Sequence, residues 1–131
     1  MTDTWWHKVS GTAPARLAGL WFGLVELADG GWHLYVAGTD QFDAGDDTGD
    51  WAVGPYAWND PVTYRNDPGA YHPVPEIEAL TTSGAVDHIG RIVRALAPWR
   101  DIHVDGVAAG FDAGDFAIVY RRHDGPPPAA T

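Results

Sequence analysis

The clearest hydrophobic run is Leu20-Trp21-Phe22-Gly23-Leu24-Val25-Glu26-Leu27, rich in aromatic and β-branched residues. It stops at Asp29-Gly30-Gly31, a sequence suited to a tight hairpin turn. Trp32 to Gly38 then alternates, placing Trp32, Leu34 and Val36 on one face and His33 and Tyr35 on the other. Together these predict a β-hairpin over 20–38. Further on, Val86, Ile89, Val93 and Leu96 recur at three- and four-residue spacing, with Ala85, Ile92 and Ala97 widening the stripe. That period predicts an amphipathic helix over 83–97, started by Thr82 or Ser83 as cap and ended by Pro98. Val104–Phe111 and Asp115–Arg121 read as two more strands, joined at Asp112-Ala113-Gly114.

The remaining segments carry weaker patterns. Residues 4–10 fit a short helix or an edge strand equally, and Ala13–Ala18 suits a continuation as helix. Trp51-Ala52-Val53 suits a third, short strand. From Gly54 to Glu76, Pro55, Pro61, Pro68, Pro73 and Pro75 break any long element, with a helical turn expected after Pro75. The expected fold class is therefore α+β: an antiparallel β-sheet built from two hairpins, with one main helix packed on one face. For the 131 residues, one domain over 1–121 is expected, followed by a flexible Pro-rich tail over 122–131.

Composition changes this picture mainly through charge. Eight basic residues face 18 acidic ones, for a net charge of −10 with histidine neutral. Such a field repels nucleic acid and anionic membranes and favours cationic partners. The chain has no cysteine, which removes disulfides, thiolate–zinc sites and thiol nucleophiles. Its start lacks a basic segment followed by an apolar run, so a cytoplasmic protein is expected.

The acidity is concentrated. Asp40, Asp43, Asp46, Asp47 and Asp50 fall within eleven residues, immediately before Trp51. Five carboxylates so close repel one another unless they are solvated or met by a cation. The spacing does not match an EF-hand, so three readings stay open: a calcium loop, a surface for a basic protein, or a solvated turn. Trp51, Tyr56, Trp58, Tyr64 and Tyr71 lie in the irregular middle, suited to stacking on a ligand, anchoring an interface or pinning a loop. The pentapeptide Phe-Asp-Ala-Gly-Asp occurs at 42–46 and 111–115 and reads as two similar turns. His7, His33, His72, His88, His103 and His123 are scattered. The nearest pairs are Asp87 with His88 and His103 with Asp105, and no nucleophile, base and orienting group can be assembled. No enzymatic activity, cofactor or metal is expected.

Phe22–Glu26, Leu34–Thr39, the Asp-rich run ending in Asp50-Trp51-Ala52, and Val107–Asp115 with Tyr120 together resemble a group of small bacterial proteins of immunity type. Those proteins carry a Phe-Asp-x-x-Asp-Asp-x-x-Trp-Ala loop and a Gly-Phe-x-x-Gly-Asp hairpin near the end. Val53-Gly54 stands here where a cysteine and acidic residues are common in the group. The resemblance implies a non-catalytic protein that neutralises a basic toxin or enzyme. Asp40, Asp43, Asp46, Asp47 and Asp50 would steer that partner, and Trp51 and Trp58 would anchor it. A carbohydrate- or small-ligand-binding module, with calcium in the loop, is the alternative expectation.

Overall fold

A computed structural model describes residues 2–27, 31–43, 45, 49–52, 56–59, 71–111 and 114–122. Two helices and six strands are present among them, arranged as one mixed sheet. The elements are α1 (Thr2–Ser10), β1 (Arg16–Glu26), β2 (Trp32–Thr39), β3 (Tyr56–Trp58), β4 (His72–Pro73), α2 (Thr82–Leu96), β5 (His103–Phe111) and β6 (Phe116–Arg121).

The two expected hairpins form, β1 with β2 and β5 with β6, both antiparallel. They meet along β1 and β5, and there the pairing is parallel, with Leu20 opposite Val107 and Phe22 opposite Ala109. The purely antiparallel expectation is therefore corrected to a mixed sheet. The physical cause is the connection: a parallel pair needs a long crossover, and the segment containing α2 supplies it. The strand order is β3-β2-β1-β5-β6, with β4 also pairing β2. Both β3 and β4 come from the segment that reads as irregular, because strands of three and two residues are too short to carry a period.

One open choice is settled, at residues 4–10, and three further boundaries differ from expectation. Residues 4–10 lie in a helix, because Trp5, Trp6 and Val9 fall on one buried face. Ala13–Ala18 does not extend that helix. Pro14 follows its closing turn, and Arg16 already pairs with His103 as strand. Asp50–Ala52 is a 3-10 turn and not a strand. The cap of α2 is Thr81, whose side-chain oxygen accepts the Gly84 N–H at 3.1 Å. A single 3-10 turn does follow Pro75, over Pro75–Ala79.

Each face of the sheet buries its own core. Leu20, Phe22, Leu24, Leu34, Val36, Val107 and Ala109 meet Ile89 and Val93 of α2 and both tryptophans of α1. Phe22 sits between the Trp5 and Trp6 rings, at centroid distances of 6.5 and 5.7 Å. Trp6 Nε1 donates to Asp101 at 2.7 Å, which ties α1 to the turn before β5. The opposite face carries Trp21, Tyr35, Ala37, Trp51, Ala52, Tyr71 and Ala108.

That second face has a floor of glycine. Gly19 is opposite Gly106 and Gly23 is opposite Gly110 across the parallel β1/β5 pair. The space left at Gly19, Gly23 and Gly106 is filled by rings, and that at Gly110 by the backbone of Asp115 and Phe116. A Cβ on Gly23 would lie 2.4 Å from the Tyr35 ring, and one on Gly106 would lie 2.1 Å from the Phe42 ring. Gly106→Ala should therefore destabilise the fold by about 1–3 kcal/mol, the usual range for overpacking. Phe42→Ala placed in the same chain should recover part of that loss. Denaturant unfolding of the two single variants and the double variant checks this: additive losses would show that the ring does not rest on Gly106.

Candidate functional site

The Asp-rich loop grows from the end of β2 and is seated on the glycine floor. Thr39 is fully buried, and its hydroxyl donates to the Gln41 carbonyl at 2.7 Å, turning the chain out of the strand. Phe42 then folds back over Gly106, while the Trp51 ring lies over Gly19, where a Cβ would come within 2.6 Å. The two rings meet edge to face with centroids 4.8 Å apart. Both ends of the loop are thus fastened to neighbouring strands by one aromatic pair. Gly49, with φ of 71°, makes the left-handed bend that returns the chain, and its carbonyl accepts the Ala52 N–H at 2.9 Å.

Asp40, Asp43 and Asp50 are exposed, and Asp43 Oδ1 accepts the Gly45 N–H at 3.0 Å in a local Asx turn. Asp46 and Asp47 lie outside the described residues. Among the described residues, no group of three or more His, Cys, Asp or Glu side chains could hold a metal ion.

The two tryptophans expected at a partner interface sit elsewhere. Trp51 is 2% exposed and Trp58 is 9% exposed. Trp58 belongs to the helix-side core, with Nε1 donating to Thr12 Oγ1 at 3.2 Å. Neither indole offers a face to a partner, so their contribution is to hold the loop and β3 in place. Tyr71 is buried against Tyr35 and Tyr56 is half-buried, both in the second core, whereas Tyr64 lies outside the described residues. Phe42 is the residue that the sequence reading passes over. Its signal was available in the glycines at alternate positions of two strands, which require rings from elsewhere to fill the face. The two similar turns expected of the repeated pentapeptide fall partly outside the described residues, and its phenylalanines pack on opposite faces: Phe42 on Trp51, and Phe111 on Trp32 at 5.5 Å.

The histidines pair differently from the sequence neighbours expected. His88 Nε2 meets Glu76 at 2.9 Å, and His103 meets the Arg122 guanidinium, with Nδ1 2.8 Å from Nη1. His72 packs at a tilt against Trp5, with centroids 5.7 Å apart, and shares a hydrogen bond with the Thr2 hydroxyl at 3.1 Å. Burial, and then the nearby amino terminus, hold its pKa below the ordinary histidine value of 6.5. The His88 hydrogen bond holds the Glu76 carboxyl below its ordinary range.

No known protein family, curated relative or solved structure matches the chain.

A lowered histidine pKa fixes the sign of a pH effect. The unfolded chain takes up the His72 proton first, so stability falls as pH drops through 6.5 and levels off below the folded-state value. Glu76 adds a second loss at lower pH, as its carboxylate is protonated. Thermal unfolding between about pH 7.5 and pH 5.5 should show a decreasing Tm that flattens in His72→Asn. An unchanged slope in that variant would remove His72 as the source. Trp51→Ala should cost about 3–5 kcal/mol in chemical denaturation, the range for deleting a buried large aromatic side chain. A loss under about 1 kcal/mol would mean that the ring does not carry the loop.

Proposed function

We propose that this chain is a non-catalytic binding protein that captures a basic protein partner, in the manner of an immunity protein neutralising a toxin or enzyme. The observation that carries the reading is the construction of the acidic loop. A solvated turn needs no more than local hydrogen bonds. This loop is instead rooted by Phe42 and Trp51 on glycines of two adjacent strands, with Asp40 just before the first root and Asp43 and Asp50 between the two, all three exposed. A fixed base limits the conformational freedom lost on binding, which favours affinity. Clustered exposed carboxylates on a chain of net charge −10 accelerate the approach of a cationic surface.

Within this reading the carboxylates act mainly on the rate of association, and Trp51 and Trp58 act by positioning. The resemblance to immunity-type proteins supports the same partner class. No nucleic acid or membrane surface is expected to bind, since the chain's charge repels both.

The test is kinetic. A basic protein recovered with the tagged chain from its source cells is purified, and stopped-flow association is measured over a range of salt. Asp40→Asn, Asp43→Asn and Asp50→Asn combined should slow association by about tenfold or more at low salt. The dissociation rate should change far less. The same variant should keep its Tm within a few degrees, because these side chains are exposed. Association that is equally fast in the variant, and insensitive to salt in the parent, would defeat the proposal.

A further inference from the structure

The end of the sheet beside the acidic loop carries the opposite charge. Trp99 and Tyr120 stack face to face there, with centroids 4.7 Å apart and planes 7° from parallel, and both rings remain half-exposed. Exposed Arg100 follows Trp99, and exposed Arg122 lies two residues beyond Tyr120 with its guanidinium against the His103 ring. Exposed Arg16 is opposite His103 in the β1/β5 register. Arg16, Arg100 and Arg122 meet no carboxylate among the described residues, in a chain with 18 acidic residues. Asp101, the carboxylate next in sequence to Arg100, accepts from Trp6 Nε1. Trp, Tyr and Arg are the residue types concentrated at the energetic centres of interfaces. Here they are gathered with guanidinium groups that have no carboxylate within 4 Å among the described residues.

We propose that this arginine-bearing corner docks a second copy of the chain, receiving that copy's acidic loop in a two-fold dimer. Charge complementarity selects this occupant: the loop of Asp40, Asp43 and Asp50 is the acidic counterpart that the same molecule carries. A nucleic acid of the same charge sign would be repelled by the net −10. Placement meets the symmetry requirement as well. Asp40 follows Thr39, which is opposite Gly19 near the start of β1, and Phe42 rests on Gly106, which is opposite Arg121. Loop and corner therefore share one end of the sheet. A single two-fold axis can set each loop on the other copy's arginines, as a closed isologous interface demands. Repulsion between the two net charges is screened beyond about 8 Å at physiological salt, whereas contacts across the interface are shorter. The dimer draws on the same acidic loop as the partner proposed above, so the two would compete for it, and self-association is read without that partner.

Sedimentation velocity of the full chain tests it, over concentrations up to about 500 μM, at about 50 and about 500 mM salt. A dimer is expected at low salt, weakened about tenfold or more at high salt. Arg100→Glu with Arg122→Glu, and separately Asp40→Lys with Asp43→Lys, should each be monomeric while keeping the parent's circular dichroism. An equimolar mixture of the two should restore the dimer. If charge reversal unfolds the first variant, Arg100→Gln with Arg122→Gln gives the same reading, as a dimer weakened about tenfold. A parent that is monomeric throughout, or swapped variants that fail to associate on mixing, would overturn the proposal. Dimers that persist in both swapped variants would also overturn it, and would point to pairing along β6, the outermost strand beyond β5 among the described residues.

Discussion

Two aromatic rings resting on bare backbone are the interaction on which the organisation of this domain depends. Gly19 and Gly106 stand side by side in the parallel pair, and Trp51 and Phe42 occupy the volume above them. Without those rings the second face of the sheet would be a shallow trough of exposed backbone. With them it becomes a second core, and the loop between the rings is fixed to the strands it covers. The helix-side core is conventional by comparison, with an apolar helix stripe and two tryptophans closing over Leu20, Phe22 and Leu24.

This explains why the loop's acidity is tolerated. Repelling carboxylates raise the free energy of any compact arrangement, and a long loop adds closure entropy to that. Short-range packing at the two roots opposes both effects without placing any of the exposed carboxylates in the interior. Charge and packing are separated along the chain: the side chains of Asp40, Asp43 and Asp50 are exposed, while Phe42 is half-buried and Trp51 buried. The opposite sign gathers around Arg16, Arg100 and Arg122 at the same end of the sheet, giving the molecule a local polarity that its net charge conceals.

Much of the frame was legible from pattern. The 20–38 hairpin, the helix near 83–97 and the closing hairpin all follow from periods of two and 3.6 in runs long enough to display them. The parallel junction was not legible, because nothing within β1 or β5 records which hairpin edge will meet the other. Strands β3 and β4 were invisible for a different reason: at three and two residues they are defined by their partner β2 and not by their own sequence. At the candidate site the acidic residues could be read directly, but the roles of the aromatics could not. Trp51 and Trp58 look like interface anchors when only their neighbours in sequence are considered. Their burial follows from glycines and helices far away in the chain.

The glycine floor also divides the molecule by how freely it can change. Asp40 and Asp43 have exposed side chains, so their substitution leaves the sheet undisturbed. Gly19, Gly106, Phe42 and Trp51 interlock, and replacing one demands a change in another. A lineage under pressure to recognise altered partners could therefore rewrite the tip repeatedly while keeping the seat. Comparison among descendants should then find variability rising and falling abruptly within a dozen residues, at the borders set by the two rings.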